Sequence, residues 1–216
     1  MEKGISASVM CINFADTKRD LDEIRNAGIR YLHFDIMDGV FVPNYALGAC
    51  IANGLRKAAD MPFDYHFMVE GPEKKIGCFD FRPGDAVSVH AEATDRLRQL
   101  IIDLKGLGVT AGAALKPETD INALEGVFDV LDYVLVMTVD PGFGGQPLVE
   151  SAIGKIAELR EKMPDMAIQV DGCVSFENAR RMKAAGADCF VAGTAGLFRK
   201  DMAISEAAER LNREIC

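Results

Sequence analysis

The sequence has no tryptophan and only three histidines, His33, His66 and His90, in 216 residues. Metal binding or proton transfer by imidazole therefore has few side chains to draw on. Its six cysteines, Cys11, Cys50, Cys78, Cys173, Cys189 and Cys216, are scattered, and no two form a CxxC pair. With no signal peptide ahead of the first strand-like run, the thiols are read as reduced and the compartment as cytoplasmic. Cys216 is the last residue, so it lacks the residues that a prenylation signal carries after its cysteine. No apolar run approaches the ~20 residues of a membrane span. Basic residues are also short: 24 Lys and Arg stand against 33 Asp and Glu, for a net charge of -9 and a pI near 4.9. That balance argues against nucleic acid as a partner, since phosphate-backbone binding needs clustered Lys and Arg. A small anionic substrate stays open, because a few backbone N–H groups hold a phosphate whatever the net charge.

What is present is a regular alternation. Hydrophobic residues make up 49% of the chain, enough for a full core. Short runs that are apolar on both faces read as parallel strands covered by helices: Ile5–Met10, Tyr31–Ile36, Asp64–Met68, Ala86–Val89, Thr110–Leu115, Tyr133–Met137, Ile168–Val170 and Cys189–Ala192. Amphipathic segments between them read as helices: Thr17–Asn26, Leu47–Ala58, Pro72–Phe79, Asp95–Leu107, Ile121–Phe128, Val149–Lys162, Phe176–Ala185 and Ala203–Glu214. Several end at a glycine suited to a helix C-terminus. Strict alternation demands a parallel sheet. Eight such units in a chain of this length predict an α/β fold of the (β/α)8 TIM barrel type, with an open doubly wound sheet as the alternative. No linker or low-complexity tract interrupts it, so residues 1–216 are expected to form one domain.

Polar residues then stand out at the strand ends, where barrels of this type carry their catalytic groups. His33 and Asp35 are two apart in Tyr31–Asn44 and share one face of an otherwise apolar strand. By themselves they read equally as a buried hydrogen-bonded pair or as part of a metal or catalytic site. Barrel closure would bring them to one mouth with Ser8, His66 and Asp171. His33, Asp35, His66 and Asp171 then make a two-imidazole, two-carboxylate set suited to one divalent cation such as Zn, Mn, Fe or Co. The two carboxylates, held across a carbon acid, could remove a proton from one face and return one on the other. His90, followed by Glu92, reads as a polar strand terminus, with support of a ligand as the alternative. Three glycine-bearing loops follow the last three strands: Pro141-Gly142-Phe143-Gly144-Gly145-Gln146, Asp171-Gly172-Cys173 and Gly193-Thr194-Ala195-Gly196. Loops in those places commonly build a phosphate site in this fold. Met10, Met37, Met68 and Met137 fall at or just beyond strand ends and read as core or as a soft apolar lining.

The combination resembles the ribulose-phosphate 3-epimerase family. The resemblance is carried by His33-Phe34-Asp35-Ile36-Met37-Asp38-Gly39 with Phe41-Val42-Pro43-Asn44, by His66-Phe67-Met68-Val69, and by Val136-Met137-Thr138-Val139-Asp140-Pro141 running into Gly142–Gln146. Val170-Asp171-Gly172, Ala185-Gly186-Ala187-Asp188 and Val191-Ala192-Gly193 complete it, in family order over nearly the whole chain. It implies a barrel binding one divalent metal through His33, Asp35, His66 and Asp171, with Asp35 and Asp171 as the acid/base pair at C3 of a phosphorylated ketose. Ser8 matches a serine near the substrate, and Met37, Met68 and Met137 match methionines around the reacting carbons. Gly142, Phe143, Gly144, Gly145, Gly172, Cys173, Gly193 and Thr194 match the phosphate-binding backbone and its neighbours.

Four departures bear on selectivity. Cys173 replaces the usual second glycine, Thr194 a common serine, Val40 a typical polar residue, and Lys116-Pro117 an Asn-Pro pair. Ser8-Val9-Met10-Cys11, Thr138-Val139-Asp140-Pro141 and Gly193–Phe198 look closer to the branch acting on D-allulose 6-phosphate, whereas D-ribulose 5-phosphate is the commoner substrate of the family. A decarboxylase on a similar barrel would carry Asp-x-Lys-x-x-Asp, of which only Asp103-Leu104-Lys105-Gly106-Leu107-Gly108 is a partial match. A Schiff-base aldolase would need a strand-end lysine, and Lys116 is the candidate. A non-catalytic sugar-phosphate-binding barrel would have no use for two opposed carboxylates. Barrels of this kind often assemble as homo-oligomers through their outer helices, but no helix face here compels it.

Overall fold

A computed structural model describes residues 1–216. Its strands are β1 (Gly4–Ser8), β2 (Tyr31–Asp38), β3 (Tyr45–Ala46), β4 (Phe63–Met68), β5 (Ala86–His90), β6 (Thr110–Leu115), β7 (Tyr133–Met137), β8 (Ala167–Asp171) and β9 (Cys189–Ala192). All except β3 pair in parallel in the order β1-β9-β8-β7-β6-β5-β4-β2, and a β1–β2 pairing closes the ring. The expected TIM barrel is therefore formed, and the open sheet is not. The short β3 is an addition: it folds back antiparallel on Met37 and Asp38 at the end of β2.

Helices α1 (Thr17–Asn26), α2 (Ala49–Leu55), α3 (Leu97–Gly106), α4 (Ser151–Lys162), α5 (Phe176–Ala185) and α6 (Ile204–Ile215) cover the barrel. Two expected helices are corrected. Pro72–Phe79 becomes two 3-10 turns, Pro72–Lys74 and Ile76–Cys78, and Ile121–Phe128 keeps only Ile121–Leu124 as a 3-10 turn. Both stretches are short, and Gly126 sits at φ +79°, outside any right-handed helix. In both stretches the tighter turn takes over. The segment expected over Leu47–Ala58 shortens to α2, with Leu47 at φ +30° outside it. No helix is long and apolar enough to cross a membrane.

Side chains alternate across each strand. The outward set, such as Leu32, Phe34 and Ile36 on β2 and Phe63, Tyr65 and Phe67 on β4, joins the helices in a core of 52 buried residues. The inward set is polar for a barrel interior: Ser6, His33, Asp64, His66, Ser88, His90 and Gln169 have no solvent exposure. That layer holds only because its groups bond to one another, as described below.

The N-terminal face of the barrel is held by a device used three times. Asp85, Asp132 and Asp188 each directly precede a strand, and each accepts a backbone N–H from the neighbouring strand, from Phe63 (2.8 Å), Ala111 (2.9 Å) and Ile168 (3.2 Å). Each is also paired with a cation from the helical segment before that neighbour: Arg56 at 2.5 Å, Lys105 at 2.7 Å and Arg160 at 2.5 Å. The repeat spans two strand–helix units, and the β1–β2 pair lacks it, with Arg30 in the equivalent place. The Asp188 carboxyl lies below the ordinary range: burial alone would raise it, but Lys3, the Ile168 N–H and Arg160 together outweigh that. A folded-state pKa below the unfolded value means a contribution present above pH ~4 and lost as pH falls through the folded pKa. Asp188→Asn should therefore cost about 1–2 kcal/mol at pH 7, the scale of hydrogen bonds to a charged group. In urea unfolding the gap from wild type should narrow below pH ~4; a gap that does not change with pH would show that charge is not what Asp188 contributes.

Candidate active site and metal centre

Strand register assembles the site. On β2 and β4, His33 lies opposite Asp64 and Asp35 opposite His66. Ser8 lies opposite His33, and Asp171 ends β8 opposite Met137. One ligand atom from each of His33, Asp35, His66 and Asp171 falls within 4.8 Å of all the others. His33 Nε2 is 3.3 Å from Asp35 Oδ1 and 3.6 Å from Asp171 Oδ2. His66 Nδ1 is 3.4 Å and 3.5 Å from the same two oxygens. The four residues expected to act together therefore do meet, and His33 is more than a local partner for Asp35.

The electrostatics show how tightly these charges are coupled. Burial by itself would push the imidazoles down and the carboxyls up. Instead the carboxylates of Asp64, Asp35 and Asp171 hold His33 well above its ordinary range, and Asp171 and Asp35 raise His66. Asp35 and Asp171 are lowered in turn, chiefly by the two imidazoles. Buried carboxylates converging in this way call for positive charge between them. The donor set supports a cation as its source. His66 Nδ1 is fully buried, faces the two carboxylates and makes no hydrogen bond. Two imidazole nitrogens and two carboxylate oxygens, with no thiolate, suit a divalent metal of the borderline class.

Residues behind the cluster extend what the sequence suggested. Asp64 Oδ2 takes His33 Nδ1–H at 2.7 Å, Ser6 Oγ–H at 2.8 Å and a Gln169 Nε2–H at 2.5 Å. Asp64 was missed as a functional residue, although a signal existed: it precedes His66 by two, as His33 precedes Asp35. His90 is fully buried against His66, Nε2 to Nε2 at 2.9 Å, with its Nδ1 3.1 Å from Glu92 Oε2. Burial takes His90 down to about 4, while Glu92 falls to about 2 despite its own burial, through His90 and neighbouring donors.

Above the cluster opens a pocket of about 470 Å³. Ser8, Met37, Met68, Met137, Gly142, Phe143, Gly144, Gly145, Gly172, Cys173, Gly193 and Thr194 all line it, beside Asp35 and Asp171. Ser8 Oγ is 3.5 Å from Asp35 Oδ2. Cys11 and Gln146, which the sequence offered only as the last residues of longer motifs, also line it. Close approach explains one glycine: at Gly172, φ is +112° and a Cβ would lie 2.6 Å from Val139. Cys173 next to it adopts φ +47°, a left-handed conformation that costs a non-glycine residue about 1 kcal/mol. Val40 is 64% exposed and does not line the pocket. Lys116 is outside it too, its Nζ lying 4.4 Å over the Phe41 ring. Lys105 of the partial decarboxylase pattern pairs with Asp132 on the opposite face of the barrel.

A closed parallel barrel with a His/Asp cluster able to hold a metal at the C-terminal mouth of its strands places the protein in the TIM-barrel class of enzymes. Comparison with known proteins narrows the class. Residues 4–198 match the sequence profile of the ribulose-phosphate 3 epimerase family. The chain is 40% identical to the Bacillus subtilis ribulose-phosphate 3-epimerase, covering 94% of this chain and 96% of that protein. It is also 40% identical to the chloroplastic ribulose-5-phosphate-3-epimerase of Arabidopsis thaliana, covering 92% and 73%. The protein thus belongs to the ribulose-phosphate 3-epimerase family and is an isomerase of the epimerase class. Solved structures agree on the fold alone: KGPDC from Streptococcus mutans superposes with a TM-score of 0.70 at 14% identity, covering 99% of this chain and 97% of that one. A 3-hexulose-6-phosphate synthase does so with a TM-score of 0.69 at 15% identity, covering 99% and 100%.

A cation joining four ligands in the folded state alone must stabilise that state. Zinc at roughly 100 times its Kd should raise the Tm of chelator-stripped protein by about 5–10 °C. A melting temperature indifferent to both metal and chelator would remove the cation from this site.

Proposed function

We propose that the protein interconverts D-ribulose 5-phosphate and D-xylulose 5-phosphate by two-base proton transfer at C3. The observation that carries the reading is the convergence of Asp35 and Asp171 on one pocket that also gathers the three glycine-bearing loops. Asp35, as carboxylate, takes the C3 proton from one face of the ketose. Asp171, carrying a proton at that point of the cycle, delivers it to the other face. The enzyme is left in the mirror protonation state, which serves the reverse direction. Both carboxyls lie below the ordinary range with no substrate bound, so either is available as the base, and the proton the other carries is the one it took in the preceding turnover.

A divalent cation held by His33, Asp35, His66 and Asp171 (Zn, Mn, Fe or Co on ligand chemistry) would supply Lewis-acid stabilisation of the negative charge that develops on the substrate oxygens. Met37, Met68 and Met137 cover the reacting carbons with apolar surface and keep water from them. Ser8 orients the sugar beside Asp35. Backbone N–H groups of Gly142–Gly145, Gly172–Cys173 and Gly193–Thr194 receive the phosphate, which suits a protein whose net charge would not otherwise attract it. A hexulose phosphate, D-allulose 6-phosphate, is the second reading, favoured by Cys11 and Cys173 lining the same pocket.

Asp35→Asn and Asp171→Asn should each lower kcat by at least about a thousandfold while circular dichroism still reports a folded barrel. Wild-type enzyme in D2O should place deuterium at C3. Near-normal turnover in either variant would defeat the two-base scheme. Side by side, kcat/KM for ribulose 5-phosphate should exceed that for allulose 6-phosphate, and the reverse order would move the assignment to the hexulose.

A further inference from the structure

The two imidazoles of the cluster turn different nitrogens inward, Nε2 of His33 and Nδ1 of His66. For His33 the reason is direct. Its Nδ1 donates to Asp64 Oδ2 at 2.7 Å, an oxygen that also accepts from Ser6 and Gln169, so when the ring gives up a proton to take a cation, Nε2 is the nitrogen that is freed. His66 has no such carboxylate behind it. Its outer nitrogen, Nε2, meets Nε2 of His90 at 2.9 Å. One hydrogen must lie between those two nitrogens, and either ring could supply it.

We infer that His90 and Glu92 are positioning residues that settle this choice, forcing the hydrogen onto His66 Nε2 and so reserving His66 Nδ1 for a cation. The inference rests on the metal reading above. Glu92 Oε2 lies 3.1 Å from His90 Nδ1 and accepts, so a neutral His90 carries its single hydrogen there. His90 Nε2 is then an acceptor, and His66 Nε2 must be the donor. Glu92 is itself held, because its other oxygen accepts the backbone N–H of Lys116 at 2.9 Å, just beyond β6. The Phe41 ring closes over His90 with centroids 4.8 Å apart, and His90 has no exposure through which water could replace either partner. The hydrogen bonds therefore run one way, from His66 to His90 to Glu92.

The alternative tautomer shows what the chain prevents. With hydrogen on Nδ1, His66 would donate toward Asp35 Oδ1 and Asp171 Oδ2, which lie 3.4 Å and 3.5 Å away. The carboxylates would then be satisfied by an N–H, and the site would close to a cation. Glu92 thus acts on the cluster from two rings away, by hydrogen-bond direction.

With only three histidines, the ring nitrogens of zinc-loaded, 15N-histidine-labelled protein are assignable by single substitutions. Wild type should show the proton on Nδ1 of His33, on Nε2 of His66 and on Nδ1 of His90. Chelator competition should then find zinc bound about 10–100-fold more weakly by His90→Phe and by Glu92→Ala, the usual cost of losing a partner behind a metal-bound histidine. Glu92 sits at the rim of the barrel, so its variant tests the chain even where the buried substitution at His90 unfolds the protein. A proton on His66 Nδ1 in the zinc-loaded wild type overturns the inference. Zinc bound by wild type with unchanged affinity in Glu92→Ala overturns it while leaving the metal reading intact. A wild type that binds no zinc overturns the metal reading and the inference together.

Discussion

Asp35, Asp64 and Asp171 share the inside of one barrel with His33 and His66; Asp64 and both imidazoles are sealed from solvent, and Asp35 and Asp171 meet it only on their pocket side. Everything else about the molecule has to accommodate that concentration of buried charge. In a low-dielectric interior an unpaired carboxylate costs several kcal/mol or more, so each must be paired, hydrogen-bonded or metal-bound. Asp64 meets the requirement on one oxygen only, with three donors on Oδ2 and none on the buried Oδ1. Asp35 and Asp171 meet it through the two imidazoles, and the mutual shifts of all four groups express that dependence. An arrangement of this kind stays poised to exchange part of its hydrogen bonding for a cation.

The barrel can carry this strain because its two ends do different work. At the N-terminal face, Asp85, Asp132 and Asp188 tie one strand to the next and recruit Arg56, Lys105 and Arg160 from the surrounding helical segments. Those are charges spent on holding the ring together. At the C-terminal mouth the charges meet one another around a pocket. Between the two ends, the apolar shell outside the strands supplies the bulk of the burial that offsets chain entropy. The separation fits the general rule that barrels place chemistry at the carboxyl ends of their strands and stability at the other face.

Two adjacent residues of the pocket wall adopt left-handed backbone for different reasons. Gly172 is required by its neighbour Val139, which leaves no room for a side chain. Cys173 has no such excuse: it is held at a backbone angle that glycine would adopt freely, and its oxygen is secured by Asn178 Nδ2 at 2.9 Å. Its side chain enters the pocket wall in return. Val40, which the sequence marked as a selectivity position, faces solvent instead. Cys11 and Cys173, and not the loop beyond β2, are therefore what give the pocket wall its side-chain character here.

Short runs apolar on both faces, glycine stops and the scarcity of histidine were enough to read most of the barrel and the membership of its cluster from the chain alone. The strands Thr110–Leu115, Tyr133–Met137 and Cys189–Ala192 were legible to the residue, because a strand apolar on both faces is bounded sharply by its polar flanks. Pro72–Phe79 and Ile121–Phe128 were misread as helices, since apolar spacing over so few residues does not separate a helix from a 3-10 turn packed onto the core. The sequence by itself determined which side chains could form a site, for strand position and side-chain chemistry are local properties. Only the tertiary structure decided how they act: that Asp64 stands behind His33, that His90 and Glu92 stand behind His66, and that opposite ring nitrogens face the centre. Hydrogen-bond direction depends on which atoms from distant strands come within 3 Å or so of each other, and no local pattern in the chain encodes that.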